Sequence, residues 1–324
     1  MAKKRLTQKQ LTRIRSRRDQ NVDRLKKNAD EVFKGLVIAR YSKHVQVLIL
    51  EGPKVQKIYK ANLRRQLDNI AVGDELAVSF SKEQTLVIEA RLDRRSELLR
   101  PDGFGNMKAI AANIDEVFIV IAKVPQVHTT LLDRYLAAAE VAGIDASIVI
   151  NKADLFSDNG EVLSLISIYE ALDYPVYLVS AKTGLGLTEL DEAIANKTCV
   201  FAGQSGVGKS SLVNTLLGTD AKVGELSSSV AKGKHTTTTA ELYSLPSGGQ
   251  LIDSPGIREF HLTHFKEIQV YRGFREFHSV LGQCQFRDSR HNEAPGCAVN
   301  ALIDDGGISD SRLNSLEYIL GSSV

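Results

Sequence analysis

The stretch Gly203 to Ser211, GQSGVGKSS, follows the apolar run Thr198 to Ala202 and constrains the chain more than any other. Gly203, Gly208, Lys209 and Ser210 fit G-x-x-x-x-G-K-[ST], the pattern of a phosphate loop. A polyphosphate is wrapped by backbone N–H groups, and these come close enough only where side-chain bulk is missing, which glycine provides. Gln204, Ser205, Gly206 and Val207 complete the cradle. Lys209 is expected to set a point charge on the β/γ oxygens, and Ser210, next to Ser211, a hydroxyl on Mg2+. The helix expected over Ser211 to Leu217 turns its positive end towards the anion. A plain Gly-rich turn before a helix is the alternative.

Around this loop, strand and helix alternate. Glu116 to Ala122 (EVFIVIA) is a continuous apolar run of the kind buried in a parallel sheet, and Thr130 to Val141 carries apolar residues at helical spacing. The strand Ala146 to Ile150 ends in Asn151-Lys152-Ala153-Asp154, and a helix over Val162 to Leu172 leads to the strand Val176 to Val179, which ends in Ser180-Ala181-Lys182. A helix over Leu187 to Ala195 then reaches the phosphate-loop strand, so a mostly parallel sheet with helices on both faces is expected.

Asn-Lys-x-Asp and Ser-Ala-Lys resemble the guanine-reading motifs of P-loop GTPases, and both fall at carboxyl ends of strands, where open α/β sheets bind ligands. Guanine offers two adjacent donors that one carboxylate accepts together; adenine lacks the pair. Asp154 is the candidate carboxylate, Asn151 a brace, Lys152 a stem along the base, and the N–H of Ala181, between Ser180 and Lys182, a donor to the guanine carbonyl. Downstream, Leu251 to Gly256 is a short strand ending in D-x-x-G, with Asp253 expected near Mg2+ and the N–H of Gly256 on the γ-phosphate. Between them, Val223 to Ala240 fits a switch loop in which Thr236 or Thr237 closes on Mg2+. Ile257 stands where many GTPases carry a water-orienting glutamine. His235 is the nearest polar candidate for that task. The base motifs precede the phosphate loop, the reverse of the ordinary order. A circular permutation with the old ends joined near Asn196-Lys197 produces this. It also starts the C-terminal part directly after the D-x-x-G segment, so movement there would be transmitted through the backbone.

The flanks read differently. The formal charge of +2 hides an asymmetry: residues 1 to 27 contain eleven Lys or Arg against Asp19 and Asp23. Residues 1–32 are therefore expected to be a basic arm without a core of its own, either a solvated tail or a binder of nucleic-acid phosphates. From 33 to 95 five short β-branched segments follow one another: Phe33 to Tyr41, Val45 to Leu50, Val55 to Ala61, Glu75 to Phe80 and Leu86 to Leu92. Five strands in so short a span point to an OB-like barrel. Arg40, Lys43, Lys54, Lys57, Lys60, Arg64 and Arg65 would suit RNA on its face, a spacer domain being the alternative. Residues 93 to 113 read as a connection. The expected organisation is multidomain: arm, barrel, a permuted α/β P-loop GTPase domain over 96–260, and a small, mainly helical domain over 261–324. No apolar run reaches membrane-spanning length, and the three cysteines make no disulfide framework. A cytoplasmic monomer is the expectation.

Taken together, these features resemble the circularly permuted GTPases that depend on the small ribosomal subunit, the RsgA or YjeQ family. The resemblance implies GTP hydrolysis stimulated by that subunit late in its assembly, with binding to its rRNA. It also implies a catalytic role for His235, which lies in GKHTT where the family has an arginine before the histidine. The family's zinc module reads C-x-x-x-x-C-x-H-x-x-x-x-x-C. Cys284, His291 and Cys297 match it, but Ser289 takes the place of the second cysteine. Zinc completed by water, zinc completed by Asp288, and a lost metal all stay open. Two other functions stay open as well: an ATP-using P-loop enzyme, and an RNA-binding scaffold with a slow nucleotide switch.

Overall fold

The computed structural model describes residues 32–63, 69–101, 105–156, 160–218, 240–253, 266–285, 291 and 296–321. Five strands come first: β1 (Phe33–Arg40), β2 (His44–Ile49), β3 (Ile58–Asn62), β4 (Glu75–Phe80) and β5 (Leu86–Arg91). In β2 the period of two is plain, with Val45, Val47 and Ile49 buried and His44, Gln46 and Leu48 half-buried between them. The strands pair antiparallel in the order β3-β2-β1-β4-β5, and β3 and β5 lie against each other. Val37, Val47, Leu76, Val78 and Ile88 fill the interior. The third strand begins at Ile58 rather than at Val55. Gly52 and Gln56 both have positive φ (87° and 63°), which makes residues 51–56 a turn.

The connection over 93–113 is more ordered than its composition indicates. It forms a hairpin of β6 (Glu97–Pro101) and β7 (Met107–Ala112), and adjacent arginines clip its root on both sides. Arg94 grips the buried Asp74 with two nitrogens, at 2.7 and 2.8 Å, and also reaches Glu97 at 2.9 Å. Arg95 pairs with Asp115 and donates to the carbonyl of Asn113 at 2.9 Å, while Asn113 donates from its amide to Gly73 O at 2.7 Å. One arginine therefore holds the five-stranded unit, and its neighbour holds the chain at Asn113 and Asp115, where the hairpin ends.

The alternating region supplies β8 (Glu116–Ala122), α1 (Thr129–Ala142), β9 (Asp145–Asn151), α2 (Gly160–Glu170), β10 (Val176–Leu178), α3 (Leu187–Ile194), β11 (Thr198–Ala202), α4 (Lys209–Leu216), β12 (Ala240–Ser244) and β13 (Gln250–Asp253). The order is β10-β9-β8-β11-β13-β12, parallel except at β12. All seven residues of β8 are buried. Val117, Ile119 and Ile121 join one core with Leu132, Tyr135 and Leu136 of α1, and Phe118, Val120 and Ala122 join the other with Leu190 of α3 and Leu212 of α4. Helices on both faces thus explain why this strand is apolar without alternation. Past β12 the sheet continues into β1 through Ala39 opposite Glu241 and Arg40 opposite Ala240.

The last elements are α5 (Glu267–Arg272), α6 (Ala298–Asp304) and α7 (Asp310–Gly321). The first of these ends at Arg272, capped by Gly273, and the short 3-10 turn Arg275–Phe277 follows. Val270, Phe274, Phe277, Val299, Leu316 and Ile319 are buried in the same core as α1. Among the described residues no helix is long and apolar enough to cross a membrane.

Candidate functional site

The phosphate-loop segment joins β11 to α4 at the carboxyl edge of the sheet, beside β8. Chain connections run to opposite sides of the sheet at that point, so the strand ends open a crevice there. Val207 is buried and anchors the loop from below. Gly203 has φ 131°, and a Cβ on it would lie 2.2 Å from Val120 O; Gly208 has φ 96°, and its Cβ would lie 2.4 Å from the Asn151 amide nitrogen. No other residue fits either position. Gly208 is also the residue before α4, so it brings no side chain to the first helical amides, which stay available to an anion. Ser205, Gly206 and Ser210 are exposed along the rim, with Gln204 and Ser211 half-buried. Lys209 starts the helix, and its ammonium donates back across the loop to Gly203 O at 2.7 Å and Gln204 O at 2.6 Å.

The base motifs reach the same crevice. Asn151, the last residue of β9, is 1% exposed and bridges two loops: its Nδ2 donates to Val207 O at 2.9 Å and its Oδ1 accepts from the Ala181 N–H at 3.2 Å. Lys152, in a left-handed conformation, donates from Nζ to Gly206 O at 2.7 Å and Val124 O at 2.8 Å. These bonds bring NKAD, SAK and the phosphate loop together although 56 positions separate Asn151 from Val207. Asp154 accepts the hydroxyl of the buried Ser180 at 2.7 Å, and the exposed Lys182 ammonium lies 3.8 Å from its other oxygen. The Ser180 hydrogen bond, assisted by the Lys182 and Lys152 charges, holds the Asp154 carboxyl below the usual carboxylate range. It is ionised at neutral pH and has an orienting donor on one side. The Ala181 N–H faces Asn151 in this arrangement, so a guanine carbonyl would share that donor.

Asp253 ends β13, whose parallel register with β11 sets Ile252 beside Val200 and so carries Asp253 level with the strand that feeds the loop. His235, Thr236, Thr237, Gly256, Ile257, Asp288 and Ser289 lie outside the described residues.

The second site is the cluster of Cys284, His291 and Cys297. His291 Nδ1 lies 3.5 Å from Cys284 Sγ and 3.4 Å from Cys297 Sγ, and the two sulfurs are 3.9 Å apart. Ligands at tetrahedral angles about zinc, with Zn–S near 2.3 Å and Zn–N near 2.0 Å, stand about 3.8 Å apart for a sulfur pair and about 3.5 Å for sulfur and nitrogen. The donors present fit such an ion. Burial pushes the His291 imidazole towards its neutral form, the form that ligates. The remaining cysteine, Cys199, is buried within β11, and its thiol is pushed far up by burial and then by Glu116, which leaves it inert.

Sequence reasoning missed the buried charges. Arg312 is 1% exposed, yet it bonds Asp133 at 2.6 Å and Glu276 at 2.8 and 3.0 Å. A signal existed: Arg312 takes an apolar-stripe position with Ser315, Leu316 and Ile319 of α7, as Asp133 does beside Leu132 and Leu136 of α1.

Residues 91–263 match the family model of the RsgA GTPase. The chain is 43% identical to the small ribosomal subunit biogenesis GTPase RsgA of Azotobacter vinelandii, covering 99% of this chain and 98% of that one. Its identity to the protein of the same name from Haemophilus influenzae is 42%, over 99% and 96% of the two chains. Among solved structures, YjeQ from Thermotoga maritima superposes with a TM-score of 0.72 at 30% identity, over 90% of this chain and 99% of that one. YloQ, described as a circularly permuted GTPase, does so with 0.70 at 28% identity, over 90% and 95%. With a phosphate loop braced by base motifs that precede it, and with relatives matched over nearly their whole length, the chain belongs to the RsgA GTPase family.

Proposed function

We propose that this GTPase acts in the biogenesis of the small ribosomal subunit, as the names of its relatives describe, with turnover stimulated by that subunit. The observation that carries the reading is the Asn151 side chain, which ties the guanine motifs to the phosphate loop by hydrogen bonds at both ends. On this reading Asp154 accepts the two adjacent donors of guanine. Lys152 lines the base, and Lys209 leaves its two loop carbonyls for the β/γ oxygens. Ser210, exposed in the first turn of α4, and Asp253, at the end of β13, would hold Mg2+, with Thr236 or Thr237 as a third contributor. That ion, when bound, neutralises phosphate charge that builds up during transfer. His235 is the residue we assign to orienting the attacking water, since Ile257 cannot.

We read residues 33–95 as an OB-like barrel, a reading supported by the strand order β3-β2-β1-β4-β5 and the contact between β3 and β5. With the basic arm 1–32 and a helical domain over 261–324, on either side of the GTPase region 96–260, it gives a surface for rRNA. Lys43, Lys57 and Lys60 are exposed there. Lys54 is committed elsewhere, stacked 3.5 Å from the Phe80 ring centre and bonded to Gln84. We assign Cys284, His291 and Cys297 to one zinc ion, which would staple the C-terminal helices. Its fourth ligand is water or Asp288. Metal analysis of the purified protein and of Cys284→Ala tests this, one equivalent falling to none.

The deciding experiment is GTP turnover with and without small subunits, large subunits and free RNA serving as controls. Strong acceleration by small subunits alone is expected. Equal competition by ATP points to another P-loop enzyme, and unchanged turnover points to an RNA-binding scaffold.

A further inference from the structure

Helix α1 has two carboxylates, and both are bonded to arginines that lie far ahead in the chain. Asp133 bonds Arg312 of α7, and Glu140 accepts from Arg275 at 2.6 Å. Asp133, Ala137 and Glu140 follow one another at i, i+4 and i+7, so they form one stripe along the helix. The C-terminal helices meet that stripe point for point. Arg312 binds its first position and Arg275 its last. Gly273 sits over the middle, where a Cβ would fall 2.7 Å from the Ala137 Cβ, so that α5 touches α1 without a side chain between them. Arg275 also donates to Leu172 O at 2.7 Å and stacks 3.7 Å from the Tyr174 ring, and the Tyr169 hydroxyl donates to Asp133 at 2.8 Å. Buried ion pairs of this kind add little net stability, but they hold one register, because any slip leaves a charge alone in the core.

The other end of α1 leads to the phosphate loop. The segment between β8 and α1 includes Val124, whose carbonyl shares the Lys152 ammonium with Gly206 O, and Pro125, which would be 3.6 Å from a Cβ on Gly206. A phosphate that drew in the loop amides would shift Gly206, and with it the partners of Lys152 and the start of α1. We propose that α1 is the lever through which the phosphate loop sets the pose of the C-terminal helices, with Asp133–Arg312–Glu276 and Glu140–Arg275 as its couplings. This route is separate from the backbone after Asp253. It rests on the reading of the loop as a GTP site.

The test is amide hydrogen exchange in α5 and α7 of the full chain, with GDP and with a non-hydrolysable GTP analogue. In the wild type the two nucleotides should give exchange rates that differ by about fivefold or more, the lower end of coupling between sites. In Glu140→Gln/Arg275→Gln, which removes one of the two couplings, the difference should shrink clearly while GDP affinity stays within about twofold of wild type. Arg275→Lys, which keeps the charge, should retain more of it and exclude simple misfolding of the double variant. A wild type with no nucleotide-dependent difference overturns the proposal, as does a double variant that keeps the whole of it. Failure of the underlying GTP assignment looks different: ATP then competes as well as GTP in the same affinity measurement.

Discussion

At the scale of single residues the site depends on groups whose neighbours leave them one conformation. On the proposed reading Asp154 selects guanine only as an oriented carboxylate, and Ser180 supplies the orientation. Asp154→Asn keeps the shape but offers a donor where guanine needs an acceptor. With two hydrogen bonds to a charged group at roughly 1.5–3 kcal/mol each, GTP and GDP affinity should fall by about two to four orders of magnitude. Titration with a fluorescent guanine nucleotide measures this, and a variant that still prefers GTP over ATP removes Asp154 from the role. The same pair predicts a pH dependence. Because the Ser180 hydroxyl favours the charged form, the part of the GDP affinity that depends on ionised Asp154 should be lost at lower pH than for an unperturbed carboxylate. Ser180→Ala raises the Asp154 pKa, so the affinity loss should begin at higher pH. A titration curve identical in the two proteins would contradict the assigned cause.

Among elements, the informative comparison is between β8 and the hairpin root. β8 is legible in sequence because it is apolar on both faces, and its alternate residues feed two cores separated by the sheet. The hairpin β6–β7 is not legible. Its strands are short and carry charged residues, and what fixes their place is the arginine pair before them. Arg94 is 6% exposed and Asp74 is wholly buried. Arg94→Met would leave the Asp74 carboxylate buried with, among the described residues, only the Ala71 N–H, and breaking one side of a buried pair costs about 3–5 kcal/mol. Denaturant unfolding, read together with amide exchange in β4 and β5, should show that loss. A drop below about 1 kcal/mol would class the pair with surface ion pairs.

For the whole molecule, charge and topology act together. Residues 1 to 27, within the proposed basic arm, carry a formal net charge of +9, and the rest of the chain is acidic overall. If the arm neutralises phosphates, its deletion should weaken binding to small-subunit rRNA and flatten the slope of log K against log salt, at about 0.7–0.9 for each phosphate no longer neutralised. An unchanged slope makes the arm a solvated tail. The sequence alone determined the chemistry and the class of fold. The phosphate loop is local, its glycines and lysine lie within one turn of chain, and strand and helix periodicities are properties of neighbours. The base motifs were legible for the same reason, and their position ahead of the loop announced the permutation. What only the tertiary structure decided concerns residues distant in the chain: the Asn151 bridge to Val207, the sheet continued from β12 into β1, and the C-terminal helices bound to α1 through Asp133 and Glu140. A charged side chain in sequence reads as solvated, since burial depends on what folds over it, and for Arg94, Arg275 and Arg312 the covering partners come from other parts of the chain.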